Sequence, residues 1–167
     1  MKTLVVGLGN PILGDDGVGW RVAERVELLL TDGLAGPLGT PGVIGEIEFK
    51  YLCLGGLSLM EELIGVDRAI IIDALDTAQQ PVGTVMSMRL QELPNRAAGH
   101  LSSAHDTTLQ NAIQVGESMG ANLPSEILIV AIEAEMDYQF SEQLSAPVAA
   151  AVPEAAVKVI ELLQERT

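Results

Sequence analysis

Three ionisable residues, Asp16, Asp73 and His105, stand where an alternating strand–helix chain would present side chains to one edge of a sheet. Asp16 sits in the glycine-rich segment GLGNPILGDDGVG, Gly7 to Gly19. Asp73 directly follows the apolar run Ala69-Ile70-Ile71-Ile72, and His105 opens a helical pattern. Two carboxylates and an imidazole can hold a borderline divalent ion and leave positions open for water or substrate. An ion held that way polarises a carbonyl or supplies hydroxide near neutral pH. Without it, two close carboxylates repel each other, which favours cation capture. Ligand type alone does not separate nickel from zinc, iron or manganese.

Each residue also has a plainer reading on its own. Asp16, or its neighbour Asp15, reads as the cap of the following helix. Asp73 reads as a polar strand end reaching water, and His105 as a solvated histidine. The other histidine, His100, lies five residues earlier, in a loop. Gly55-Gly56 is either a tight turn or a bare stretch of backbone able to pair with an extended peptide. Cys53, the single cysteine, excludes an internal disulfide, and its apolar surroundings (FKYLCLGG) suggest a small buried hydrophobe.

The first loop must also be weighed as a dinucleotide site. Gly7-x-Gly9 is followed by Ile12 where the third glycine of GxGxxG would stand, and the second strand ends Tyr51-Leu52-Cys53-Leu54 without a ribose-binding acid. Both features argue against a nucleotide.

The elements that must position these residues follow from periodicity. Leu4-Val5-Val6 reads as a buried strand, and Val18 to Leu29 as a helix. Glu46 to Leu52 alternates as a half-exposed strand, Ser58 to Leu63 is a short helix closed by Gly65, and Ala69 to Ile72 is a central parallel strand. Gly83 to Leu90 is a further strand and Pro94 to Ala104 a polar loop. His105 to Met119 is a helix capped by Ser102 or Ser103, and Ile127 to Ile132 is a second buried strand. The last helix covers Pro147 to Gln164, with Val148, Val152, Val159 and Leu163 on one stripe and Pro153 expected to kink it or mark its regular start. This alternation predicts an α/β fold, one single-domain sandwich over residues 1–167. It has a mostly parallel twisted sheet of about five strands with helices on both sides. Right-handed crossovers then bring Asp16, Asp73 and His105 to one edge, beyond the carboxyl ends of the strands, where sites form.

Composition narrows the class. With 167 residues, 48% of them apolar and 19% charged, the chain can bury a core, and one Trp, two Tyr and two Phe leave that core to aliphatic residues. A net charge of −14 disfavours nucleic acid as a partner; it suits a basic partner or simply keeps the chain in solution. Neither a signal-peptide layout nor a membrane-length apolar run is present, which reads as cytoplasmic with no membrane partner.

The segments Gly7-Leu8-Gly9-Asn10, Asp15-Asp16-Gly17-Val18-Gly19, Gly55-Gly56, Ile71-Ile72-Asp73-Ala74 and Ser103-Ala104-His105 occur in the order and rough spacing of one family's motifs. In them the chain resembles the nickel–iron hydrogenase maturation endopeptidases over essentially its whole length. The resemblance implies a phosphorylase/hydrolase-like sandwich and an aspartic-type endopeptidase. Such an enzyme removes the carboxy-terminal extension of a hydrogenase large-subunit precursor after nickel insertion. It also implies Asp16, Asp73 and His105 as catalytic and metal-binding residues, with Gly55 and Gly56 against the substrate. The nickel would belong to the substrate, so the enzyme needs no cofactor of its own, although zinc or cadmium could occupy the same ligands. Where the family commonly has Asp before the two glycines, this chain has Leu54. Val6-Gly7-Leu8-Gly9-Asn10-Pro11 also resembles the opening of peptidyl-tRNA hydrolases, but Leu13 to Gly17 lacks the histidine expected there. A non-catalytic metal-binding protein of the same fold is the third reading.

Overall fold

A computed structural model describes residues 1–31, 46–94, 101, 107–137 and 139–165. The chain runs β1 (Lys2–Leu8), α1 (Val18–Thr31), β2 (Glu46–Leu52), α2 (Gly56–Glu62), β3 (Arg68–Leu75), β4 (Val85–Arg89), α3 (Leu109–Ser118), β5 (Glu126–Glu133) and α4 (Ala146–Gln164). The strands form one five-stranded sheet in the order β2-β1-β3-β5-β4. Only β4, at the edge, is antiparallel to its neighbour. The expected α/β sandwich with a mostly parallel sheet is therefore the observed fold.

The central strands are apolar throughout because both of their faces are covered. From β1 the chain steps outward to β2, then returns past β1 to β3. Successive right-handed crossovers in opposite directions place their helices on opposite faces. Helix α1 packs with α4 on one face, and α2 with α3 on the other. Two cores result. Val5, Ile70, Ile72 and Val130 meet Val22, Val26, Ala155 and Val159 on the α1/α4 side. Leu4, Val6, Ile71 and Ile129 meet Leu59, Leu63, Leu109 and Ala112 on the α2/α3 side.

Helix α4 runs unbroken through Pro153. Pro153 is exposed, so the carbonyl its ring leaves unpaired one turn earlier lies on the solvent side. At the amino end of the sheet, buried Arg68 donates from Nε to Glu126 Oε2 at 2.6 Å and from Nη1 to the Leu162 carbonyl at 2.7 Å. This tie anchors the last turn of α4 at the end of the molecule opposite the strand carboxyl termini.

Candidate active site

The strand order reverses direction between β1 and β3, since β1 leads to β2 on one side and β3 leads to β4 and then β5 on the other. A crevice forms beyond the carboxyl ends of the strands at such a point. The loop after β1 carries Asp16, and the carboxyl half of β3 carries Asp73.

The loop is folded tightly back on itself. Gly9 has φ +126°, and a Cβ there would lie 1.9 Å from the Asp16 carbonyl oxygen. Gly19 lies against the sheet, where a Cβ would come within 2.3 Å of the carbonyls of both Leu8 and Ile72. These two contacts need glycine, and they seat Asp16 over the junction of β1 and β3. Asp16 is only 4% exposed, and its Oδ2 accepts the Asn10 N–H at 2.8 Å. This bond staples the loop. Asp15 reaches across to the start of α4. Its Oδ1 accepts the Ser145 N–H at 2.6 Å and its Oδ2 the Ser145 hydroxyl at 2.7 Å, which fixes the start of α4.

Asp73 is fully buried and pairs in register with Ala131. The strand does not end there in water, as the plainer reading held; it continues through Ala74 to Leu75. By alternation Asp73 shares the face of Ile71 and Leu75, the one covered by α2 and α3. Just beyond it, buried Glu133 accepts the N–H groups of Thr77 (2.9 Å) and Ala78 (3.1 Å) and the Thr77 hydroxyl (2.8 Å). These bonds hold the turn in which Ala78 has φ +54°.

The helix expected from His105 begins instead at Leu109, because Thr108 caps it: the Thr108 hydroxyl accepts the Asn111 N–H. His105, His100, Ser102 and Ser103 lie outside the described residues. Among the described residues, no three His, Cys, Asp or Glu side chains are grouped closely enough to hold an ion. Gly55 is the extended residue preceding α2, and Gly56, with φ +52°, opens that helix two residues before the expected start.

Cys53 differs from expectation. It is exposed, at the carboxyl end of β2. Partial loss of water around the thiol raises its pKa most, and the negative charges of Asp16 and then Asp73 add to the effect. Strand register puts all three at one edge of the sheet, since Leu8 pairs with Leu52 and Gly7 with Ile72.

A cleft of about 390 Å³ opens beside Asp16, lined among others by Asp15, Glu135, Asp137, Ser141 and Pro147. Glu135 and Asp137 were not singled out from the sequence. The signal was available, since both follow the carboxyl end of β5 in Glu133-Ala-Glu-Met-Asp137.

A family model described as hydrogenase maturation protease matches residues 54–162, a stretch that contains Gly55, Gly56, Asp73 and His105 and begins after Asp16. The hydrogenase expression/formation protein HoxM of Azotobacter vinelandii is 29% identical, covering 98% of this chain and 72% of its own length. The hydrogenase 2 maturation protease of Escherichia coli (strain K12) is 25% identical, covering 79% of this chain and 73% of its own. Among solved structures, the hydrogenase maturating endopeptidase HybD from E. coli matches with a TM-score of 0.73 at 22% identity, over 98% of this chain and 93% of that one. At that identity the match speaks for the fold.

Proposed function

The chain belongs to the hydrogenase maturation protease family and is a hydrolase, and on that footing we propose that it removes the carboxy-terminal extension of a nickel–iron hydrogenase large-subunit precursor after nickel insertion. The nickel travels with the substrate and is the recognition element. Asp16, Asp73 and His105 reach it and set the scissile peptide beside it. The chain carries no metal of its own for this step, and zinc or cadmium would compete for the same ligands. The setting is the cytoplasm, as an aspartic-type endopeptidase, with Gly55 and Gly56 offering backbone to the extended substrate.

The observation that carries this reading is the placing of Asp16 and Asp73, both buried, at the reversal between β1 and β3. Leu101 and Leu109, which flank His105 in the sequence, are both buried in the core on the face that Asp73 shares. That supports His105 as the third ligand. Hydrolysis adds one water across the peptide bond. Oxygen and imidazole donors suit a borderline ion with open positions, and carboxylates next to it can accept the proton. Membership of the family also reduces the likeness to peptidyl-tRNA hydrolases to a local one in the first loop.

The test incubates nickel-loaded and nickel-free precursor with the enzyme and follows the large subunit by intact-mass spectrometry. Only the loaded form should lose its extension; equal trimming of both would sink the recognition role.

A further inference from the structure

Outside the sheet, the first loop makes a second, very short parallel pairing, Leu13 with Ser141. The Ser141 N–H donates to the Ile12 carbonyl at 2.9 Å, and the Gly14 N–H to the Ser141 carbonyl at 2.7 Å. Leu13, Gln139, Ser141 and Gln143 line the cleft beside Asp16, and Ile12 and Phe140 do not. Ile12 and Phe140 each come one residue before the bridged pair Leu13 and Ser141. Both are in water: Phe140 is 85% exposed and Ile12 46%. Phe140 is one of only two phenylalanines in the chain, so an aromatic ring is spent on a site rim in a protein whose core has hardly any.

The charge around this pair has one sign. Glu135, Asp137 and Glu142 are exposed on the same segment. No lysine or arginine occurs from Thr3 to Trp20 or from Glu133 to Val157. A partner for this rim therefore presents an apolar hollow ringed by basic residues.

We infer that Ile12 and Phe140 form the anchor that docks the body of the large-subunit precursor, holding it by this apolar pair and its acidic surround while the extension enters the cleft beside Asp16. The inference rests on the proposed function. Two observations support it: the rim carries charge of one sign, which selects a basic partner, and Ile12 and Phe140 adjoin Leu13 and Ser141, which line the cleft. Exposed aromatics that pack into a partner's pocket carry a disproportionate share of binding, and acidic rims act mainly through long-range attraction that salt screens.

The test is steady-state trimming of the nickel-loaded precursor at low and high salt by the full chain, by Phe140→Ser and by Ile12→Ser. Phe140→Ser should raise KM by about tenfold or more with kcat unchanged. Ile12→Ser should raise it less, and high salt should raise KM for all three. Unfolding temperatures should match wild type, since both side chains are at the surface. A wild-type KM in Phe140→Ser, or a loss confined to kcat, overturns the docking anchor alone. Failure of the wild-type chain to trim any precursor overturns the proposed function and the anchor with it.

Discussion

Replacing Gly9 with alanine tests how far the placing of Asp16 depends on one close contact. At φ +126° an L side chain is strained whatever the space around it, at a cost of about 1–3 kcal/mol. The added Cβ would also start 1.9 Å from the Asp16 carbonyl oxygen. To reach a tolerable separation, that carbonyl must retreat by about 1 Å, taking with it the carboxylate that accepts the Asn10 N–H. Strain and overlap together should lower stability by about 3 kcal/mol, or the unfolding temperature by about 10 °C for a domain of this size. A displacement of about 1 Å in a catalytic ligand costs on the order of a hundredfold in rate. Thermal unfolding by circular dichroism and a mass-spectrometric time course of precursor trimming give the two readouts. Gly65→Ala is the control. Its φ is +82° and nothing lies within 4 Å of the added Cβ, so it should lose about 1 kcal/mol and no activity. If Gly9→Ala matched Gly65→Ala in both stability and rate, the claim that the tight loop aims Asp16 would be wrong.

Two further outcomes follow from the ends of the sheet. Arg68→Met removes the cation from Glu126 and a donor from the Leu162 carbonyl; urea unfolding should show a loss of about 3 kcal/mol, with Arg89, 3.8 Å from Glu126, limiting the damage. Where it is folded, that variant should trim at the wild-type rate, because Arg68 lies five strand residues, about 16 Å, from Asp73; a selective loss of trimming would contradict this separation. Cys53 should be alkylated more slowly than a free cysteine at mildly alkaline pH, because its raised pKa leaves less thiolate, and Asp16→Asn should shift the profile back to lower pH by removing a negative charge. A profile that Asp16→Asn leaves unmoved would show that the two groups are not neighbours. The asparagine variant is preferred over alanine because Asp16 is buried and its oxygen satisfies a backbone N–H.

Periodicity made the sheet legible. Ile70-Ile71-Ile72 and Ile127 to Ile132 are buried on both faces, and only a covered parallel strand needs that. It did not reveal that β3 runs on past Asp73, because a carboxylate in a buried strand looks like an end until the neighbouring strand is known to continue beside it. The start of α3 was misplaced for a local reason: Ser102, Ser103, Thr107 and Thr108 all have capping side chains, and only the turn geometry at Thr108 selects among them. Asp15 and Asp16 looked like alternative caps for one helix. Asp15 binds Ser145, 130 residues away, and Asp16 accepts the Asn10 N–H, six residues back, and no local pattern encodes the first. Cys53 misled because its apolar neighbours Leu52 and Leu54 say nothing about where the strand leaves the sheet.

A crystal of the full chain soaked with zinc shows whether Asp16, Asp73 and His105 converge on one ion. The expected result is a single ion held by one oxygen from each aspartate and one nitrogen of His105, at distances of about 2.0–2.2 Å. An ion bound elsewhere, or His105 remote from the two carboxylates in the soaked crystal, would contradict it.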